Sequence, residues 1–279
     1  MPEHILRIIT LSWGSPIGLG VFFMGIGVLW FVSVYQKKKQ NKQNSAKMFF
    51  RRLKMNSNKK TARIVGVLFV IGTVVGALSA VTSGPILNAP DYLTIVSANG
   101  SHVIIGAFLM LIMCFALTMI PILLFPIFKK YNEALALGAV VFRGVLEAVA
   151  YIAIVVISLL LLRLSQEYVH AGAPDASYYQ TLGILLQEAS HWVEQILDIV
   201  FSLGALMIYY LFYQSKLIPR WLSTWGLIGA SLYLAVPLLG ILGLELGVLM
   251  VPLALQEMVL AIWLIVKGFS PSTNTSKSV

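Results

Sequence analysis

The sequence predicts an all-α, polytopic membrane protein with about seven transmembrane helices. Of its 279 residues, 58% are hydrophobic and only 11% are charged, where a soluble domain carries about 25% charged residues. Apolar runs of about 20 residues recur with short polar breaks between them, and a helix needs that length to cross a hydrocarbon core roughly 30 Å thick. The runs are continuous rather than alternating, which argues against the short two-sided strands of an outer-membrane barrel.

The first run, Ile17 to Tyr35, reads as a retained anchor, because its positive charge follows the apolar stretch where a cleavable signal peptide has it in front. The six that follow run from Ile64 to Thr82, Val103 to Ile127, Ala134 to Leu162, His191 to Phe212, Leu222 to Leu242 and Leu244 to Val266. In the second span, Gly66, Gly72 and Gly76 predict close helix packing. Pro121, Pro126, Pro237 and Pro252 fall inside spans, where prolines kink helices and free backbone carbonyls. Between the fourth and fifth spans, Gln166 to Gln187 reads as a polar loop. The last two spans nearly touch at Gly243 and predict a tight helical hairpin. The lone cysteine, Cys114, lies in an apolar run and reads as packing.

Orientation follows from the basic residues. The segment before the second span holds Lys37, Lys38, Lys39, Lys42, Lys47, Arg51, Arg52, Lys54, Lys59, Lys60 and Arg63, and the positive-inside rule places it in the cytoplasm. Alternating the spans from there brings Lys129, Lys130, Lys216, Arg220 and Lys267 to the same side. The N-terminus is then outside and the C-terminus cytoplasmic, in a multi-pass protein of the cell membrane. The chain divides into an anchor (1–36), a basic cytoplasmic linker (37–60), a six-helix core (61–269) and a disordered tail (270–279). The net charge of +9 belongs mostly to the linker. Lys and Arg clusters beside a span bind anionic lipid headgroups, so the charge predicts no nucleic-acid partner. Met48, Phe49, Phe50 and Leu53, interleaved with those cations, fit either an interfacial helix or a flexible spacer.

Ionisable groups inside the apolar spans mark the candidate site. At about 100° per residue, Glu188, His191, Glu194, Gln195, Asp198, Ser202 and Tyr209 share one arc roughly 120° wide on the fifth span. A charge at the bilayer centre costs about 2.5 to 3.5 kcal/mol on insertion scales, so such a face turns to the protein interior or a wet cavity. In the fourth span Arg143, Glu147 and Tyr151 repeat every four residues, and the seventh carries Gln256 and Glu257 mid-run. At about 1.5 Å per residue, Glu147, Asp198 and Glu257 reach similar depths on helices that run in different directions. Arg143, Glu147, Tyr151, Glu194, Asp198 and Glu257 therefore form the candidate site for a proton, a cation or a small-molecule substrate.

The carboxylates Glu147, Glu194, Asp198 and Glu257 outnumber the one cation among them, Arg143, and uncompensated charge is costly in a low dielectric. Protons, a divalent metal or a cationic substrate would each supply the balance. For a metal, His191, Glu194 and Asp198 are the candidate ligands, joined by Glu147 or Glu257. The order His191-x-x-Glu194 reverses the Glu-x-x-His of di-iron bundles, and the chain has no His-Glu-x-x-His zinc motif.

Several stretches resemble a bacterial integral-membrane family, the one known as domain of unknown function 4386, over roughly residues 61–269. They are Ala62-Arg-Ile-Val-Gly-Val-Leu-Phe, Gly84-Pro-Ile-Leu-Asn-Ala-Pro-Asp-Tyr92, Tyr131-Asn-Glu-Ala-Leu-Ala-Leu-Gly138, Phe142-Arg-Gly-Val-Leu-Glu147, Leu217-Ile-Pro-Arg-Trp-Leu-Ser223 and the run from Gln256 to Gly268. The resemblance implies an integral membrane protein and brings no activity with it. The residues themselves point first to proton- or cation-coupled handling of a small solute or ion through buried carboxylates. An intramembrane metal-dependent hydrolase acting on a lipid-like substrate and a non-catalytic sensing or structural membrane protein are the alternatives.

Overall fold

The structure is a computed structural model that describes residues 16–171, 176–244 and 246–270. It divides into two units, Met1–Asn56 and Ser57–Val279. In the first, residues 16–56 are helical, so the basic stretch 37–56 is helix where a flexible spacer was the alternative. The side chains of Met48, Phe49, Phe50 and Leu53 lie outside the described residues, as does the tail from residue 271.

In the second unit, two registers run along the same helix. Ile64, Val67, Ile71, Val74, Leu78 and Val81 recur at steps of three and four and are exposed. Ala62, Val65, Phe69, Ser79 and Ser83 are buried on the other face. An outward stripe that is more apolar than the inward one suits lipid, since a water-exposed surface avoids large contiguous apolar patches. Val149, Ile152, Val156 and Leu160 repeat the pattern on the fourth span. Among the described residues, six helical segments are long and apolar enough to cross a membrane: Asn58–Leu87, Gly100–Phe128, Glu133–Ala171, Ser177–Ser215, Arg220–Gly240 and Gly247–Val266.

These segments come from α1 (Pro16–Leu87), α3 (Gly100–Phe128), α4 (Glu133–Val140) with α5 (Glu147–Ala171), α6 (Ala176–Ser215), α7 (Arg220–Gly240) and α8 (Val251–Val266). A short helix, α2 (Tyr92–Ala98), leads into α3. Between α4 and α5 the helix widens into a π-helical turn, Val141–Leu146. Asn132 caps α4 by accepting a hydrogen bond from the Leu135 N–H at 3.0 Å, which satisfies one of the orphan donors of the first turn.

Two readings of the sequence need correction. Most of Gln166 to Gln187 is not a loop, because α5 continues to Ala171 and α6 starts at Ala176. Its polar residues sit on helical turns that run on past the apolar core, each 39-residue span being about 58 Å long at 1.5 Å per residue. Pro252 does not kink a span either. It stands in the first turn of α8, where its missing N–H costs no helical hydrogen bond.

The hairpin at Gly243 forms as the sequence predicts. Gly243 has φ +79°, a conformation that costs a side chain roughly 1 to 2 kcal/mol, and it closes α7 through bonds from Gly243 N–H to Gly240 O and Leu244 N–H to Leu239 O.

The packing is uneven along the helix axes. The main hydrophobic cluster includes Leu124 and Phe128 of α3, Leu211 and Phe212 of α6, Leu222 of α7 and Leu260 and Leu264 of α8. All of these lie toward one end of the bundle, the end that carries Lys59, Lys60, Arg63, Lys129, Lys216, Arg220 and Lys267. Toward the opposite end, the clusters around Val96, Val103 and Leu162 and around Ala150, Ile154 and Leu197 are smaller.

The same asymmetry of charge fixes the expected orientation. Reporter fusions after Lys130 and at the C-terminus should read cytoplasm, and an insertion between Ala171 and Ala176 should read the outside. A C-terminus found outside would mean an odd number of crossings between it and Lys130.

Candidate functional site

The π-helical turn brings the first charged pair into place. Arg143 lies inside it and is 3% exposed, and Glu147 follows at its end and is 1% exposed. The two form a hydrogen-bonded ion pair through Nη1 and Oε1. π turns break the regular i to i−4 ladder and concentrate at functional sites. Here the turn also meets α6 at a position without a side chain. A Cβ placed on Gly204 would lie 2.7 Å from both the backbone nitrogen and the Cβ of Arg143, so only glycine lets α6 touch this stretch of backbone.

A second carboxylate reaches the same guanidinium. Glu257 of α8 contacts Arg143 Nη2 through Oε1 at 3.3 Å. The Tyr209 hydroxyl of α6, itself fully buried, donates to that oxygen at 3.4 Å. The Arg143 guanidinium also lies over the ring of Phe201, 4.2 Å from its centre. Such a contact suits a guanidinium, whose hydration is weaker than that of an ammonium. The second oxygen of Glu147, Oε2, is buried without a hydrogen-bond partner.

Next to this centre stands a second polar pair. Tyr233 of α7 donates its hydroxyl to Asp198 Oδ1 at 3.0 Å, and its ring tilts against Phe201 with 4.8 Å between centres. Tyr151 lies within electrostatic reach of Glu147, Arg143, Tyr233 and Asp198. Helices α5, α6, α7 and α8 thus each contribute a polar side chain to one neighbourhood, with Arg143, Glu147 and Tyr209 buried and Asp198, Tyr233 and Glu257 half-buried. Gln256 ties α8 to α7 beside it, donating to Leu222 O at 3.1 Å.

Of the residues the sequence singles out, Arg143, Glu147, Tyr151, Asp198 and Glu257 are brought together. Glu194 and His191 are not part of that group. They lie one and two turns along α6 toward the less packed end and are exposed, and Glu194 accepts a bond from the Ser190 hydroxyl at 3.3 Å. Among the described residues no three His, Cys, Asp or Glu side chains gather where they could hold a metal ion, so His191, Glu194 and Asp198 do not assemble as a ligand set. Cys114 is buried, its thiol facing Ala148 O at 3.8 Å, which agrees with a packing role.

Sequence reasoning missed Tyr233 and Phe201, and it left Tyr209 on the polar arc without a role. The signal for the two tyrosines was present: a tyrosine in mid-span carries a hydroxyl that must find a partner. Phe201 gives no such signal, because one phenylalanine in an apolar run looks like any other.

Two substitutions probe the assembly. Arg143→Ala should lower stability by about 3 to 5 kcal/mol, the usual loss when one partner of a buried ion pair is removed, and Glu147→Gln should cost clearly less because Arg143 keeps Glu257. Thermal unfolding in detergent measures both, and equal losses would show that Glu257 does not hold the guanidinium. Gly204→Ala should cost about 1 to 3 kcal/mol by pushing α6 from the π turn. Parent-like stability for that variant would mean that the close approach is absent.

Residues 64–268 match the family described as Domain of unknown function (DUF4386). No curated protein and no solved structure matches the chain.

Proposed function

The chain belongs to the DUF4386 family, and we propose that it handles a small solute or ion in the cell membrane with proton or cation coupling at the buried carboxylates. One observation carries this reading: Glu147 and Glu257 share a single buried guanidinium, Arg143. A structural ion pair needs one acid for one base. With both acids ionised the group holds an excess negative charge away from water, and isolating a charge there costs several kcal/mol. A proton or a cation that enters and leaves would remove that cost in a way coupled to its passage. Glu147 Oε2, buried without a partner, offers a place for it.

The surroundings support gating. Asp198 and Tyr233 stand beside the centre on helices different from those of Arg143 and Glu257, so small shifts between helices would change which acid faces which partner. The dense cluster around Leu124, Phe128 and Phe212 blocks the basic end, and the opposite half packs less tightly. That arrangement fits one of the two states of an alternating-access cycle. The basic end is proposed to lie against anionic headgroups on the cytoplasmic side.

Proteoliposomes containing the full chain test the reading. With an imposed pH gradient and a panel of small cationic and neutral solutes, at least one solute should drive proton movement seen by an internal pH-sensitive dye. Glu257→Gln should reduce that movement by about tenfold or more, in keeping with loss of a group that carries the coupled charge. No solute-dependent proton movement across the panel, or an unchanged rate in Glu257→Gln, would count against it.

A further inference from the structure

A cavity of about 330 Å³ opens between α1, α3, α5 and α6 in the less packed half, at the lower end of the size range of small-molecule sites. Its inner wall is apolar, with Val103, Ala107, Met110, Met113, Ile154 and Leu161. Its polar groups share one property. The Ser79 hydroxyl donates to Gly106 O at 2.8 Å, Ser83 to Ser79 O at 3.0 Å and Ser158 to Ile154 O at 2.9 Å. Asn88 and Gln187 likewise give an amide N–H to Gly84 O and Leu87 O, both at 3.1 Å. Ser190 donates to Glu194.

Each serine has its one donor committed to the protein, so what it has to offer a guest is oxygen lone pairs, while Asn88 and Gln187 each keep a second amide N–H beside a free carbonyl oxygen. The carboxylate of Glu194 adds a formal negative charge, and among the described residues no Lys or Arg lines the cavity to oppose it. Among the described residues, His191 is the other lining side chain with an N–H to give. A neutral or anionic guest needs donors from the wall; an ammonium group brings its own.

We propose that this cavity binds an amphipathic organic cation, its ammonium group at Glu194 and its apolar body between α1, α3 and α5. Ser79, Ser83 and Ser158 and the amide oxygens of Asn88 and Gln187 supply further acceptors in the wall. The site is separate from the Arg143 centre. Binding here is read without any transport, so the two proposals fail independently.

Isothermal titration of the full chain in detergent, with phenethylamine and its uncharged analogue 2-phenylethanol as probes, tests the assignment. The amine, an ammonium at neutral pH, should bind at least tenfold more tightly than the alcohol. Glu194→Gln, a change at an exposed position that leaves the fold intact, should abolish the difference. Glu188→Gln, an exposed acid on the same helix that does not line the cavity, should keep it. Ser158→Leu, which fills part of the wall, should weaken the amine by tenfold or more. Equal binding of amine and alcohol would overturn the proposal, as would a preference that survives Glu194→Gln. Recovery of phospholipid that both probes displace equally would overturn it too, by assigning the cavity to an acyl chain.

Discussion

One guanidinium with two acids organises the centre of this bundle. Arg143 is 3% exposed, and burying such a charge costs several kcal/mol unless partners compensate it closely. Its partners come from three helices: Glu147 follows on its own span, Phe201 from α6 covers its face, and Glu257 reaches across from α8. The π turn and Gly204 are needed for the same reason, since the backbone carrying Arg143 has to lie against α6. Relax any of these and the cation loses either a counter-charge or its shielding from lipid.

The two acids on Arg143 also set this cluster apart in geometry from a one-to-one polar contact. Polar residues in membrane bundles commonly act as interhelical glue, worth about 0.6 to 2 kcal/mol each, and Gln256 bonding to Leu222 O is of that kind. Such contacts pair one donor with one acceptor. At Arg143 the count does not close, and Asp198 beside it adds a carboxylate whose one side-chain hydrogen bond comes from Tyr233. That imbalance of acids over bases is the feature on which the proposed proton or cation coupling rests.

How far the sequence reveals this depends on the physics behind each signal. Hydropathy gives the last six spans to within a few residues at most ends, because bilayer thickness constrains a run of apolar side chains directly. The four-residue step from Arg143 to Glu147 is legible for the same reason, as helical spacing turns directly into contact. The reach of Glu257 to Arg143 follows from depth alone. What the sequence hides depends on helix rotation and on local backbone. The π turn leaves no compositional mark, Tyr233 bonds to a helix 35 residues away, and Glu194 shares an arc with Asp198 but stops outside the cluster. Gln166 to Gln187 misleads because polarity there reports height above the bilayer, whereas helix formation continues through it.

Packing density gives the buried charge its direction. A bundle sealed equally at both ends would leave the Arg143 centre isolated, and one open at both would hydrate it and weaken every interaction there. Instead Leu124, Phe128, Leu211 and Phe212 fill the space between the centre and the basic end, while the opposite half contains a cavity bordered by Glu194. Along α6, Asp198 lies one turn beyond Glu194, about 6 Å deeper at 1.5 Å per residue. On the proposed function, a positive charge entering from that half would meet carboxylates at successive helical turns before it met the guanidinium that repels it. On that proposal a small cation or proton would compete with Arg143 for an acid already shared, and competition of that kind would let one binding event be felt by another group.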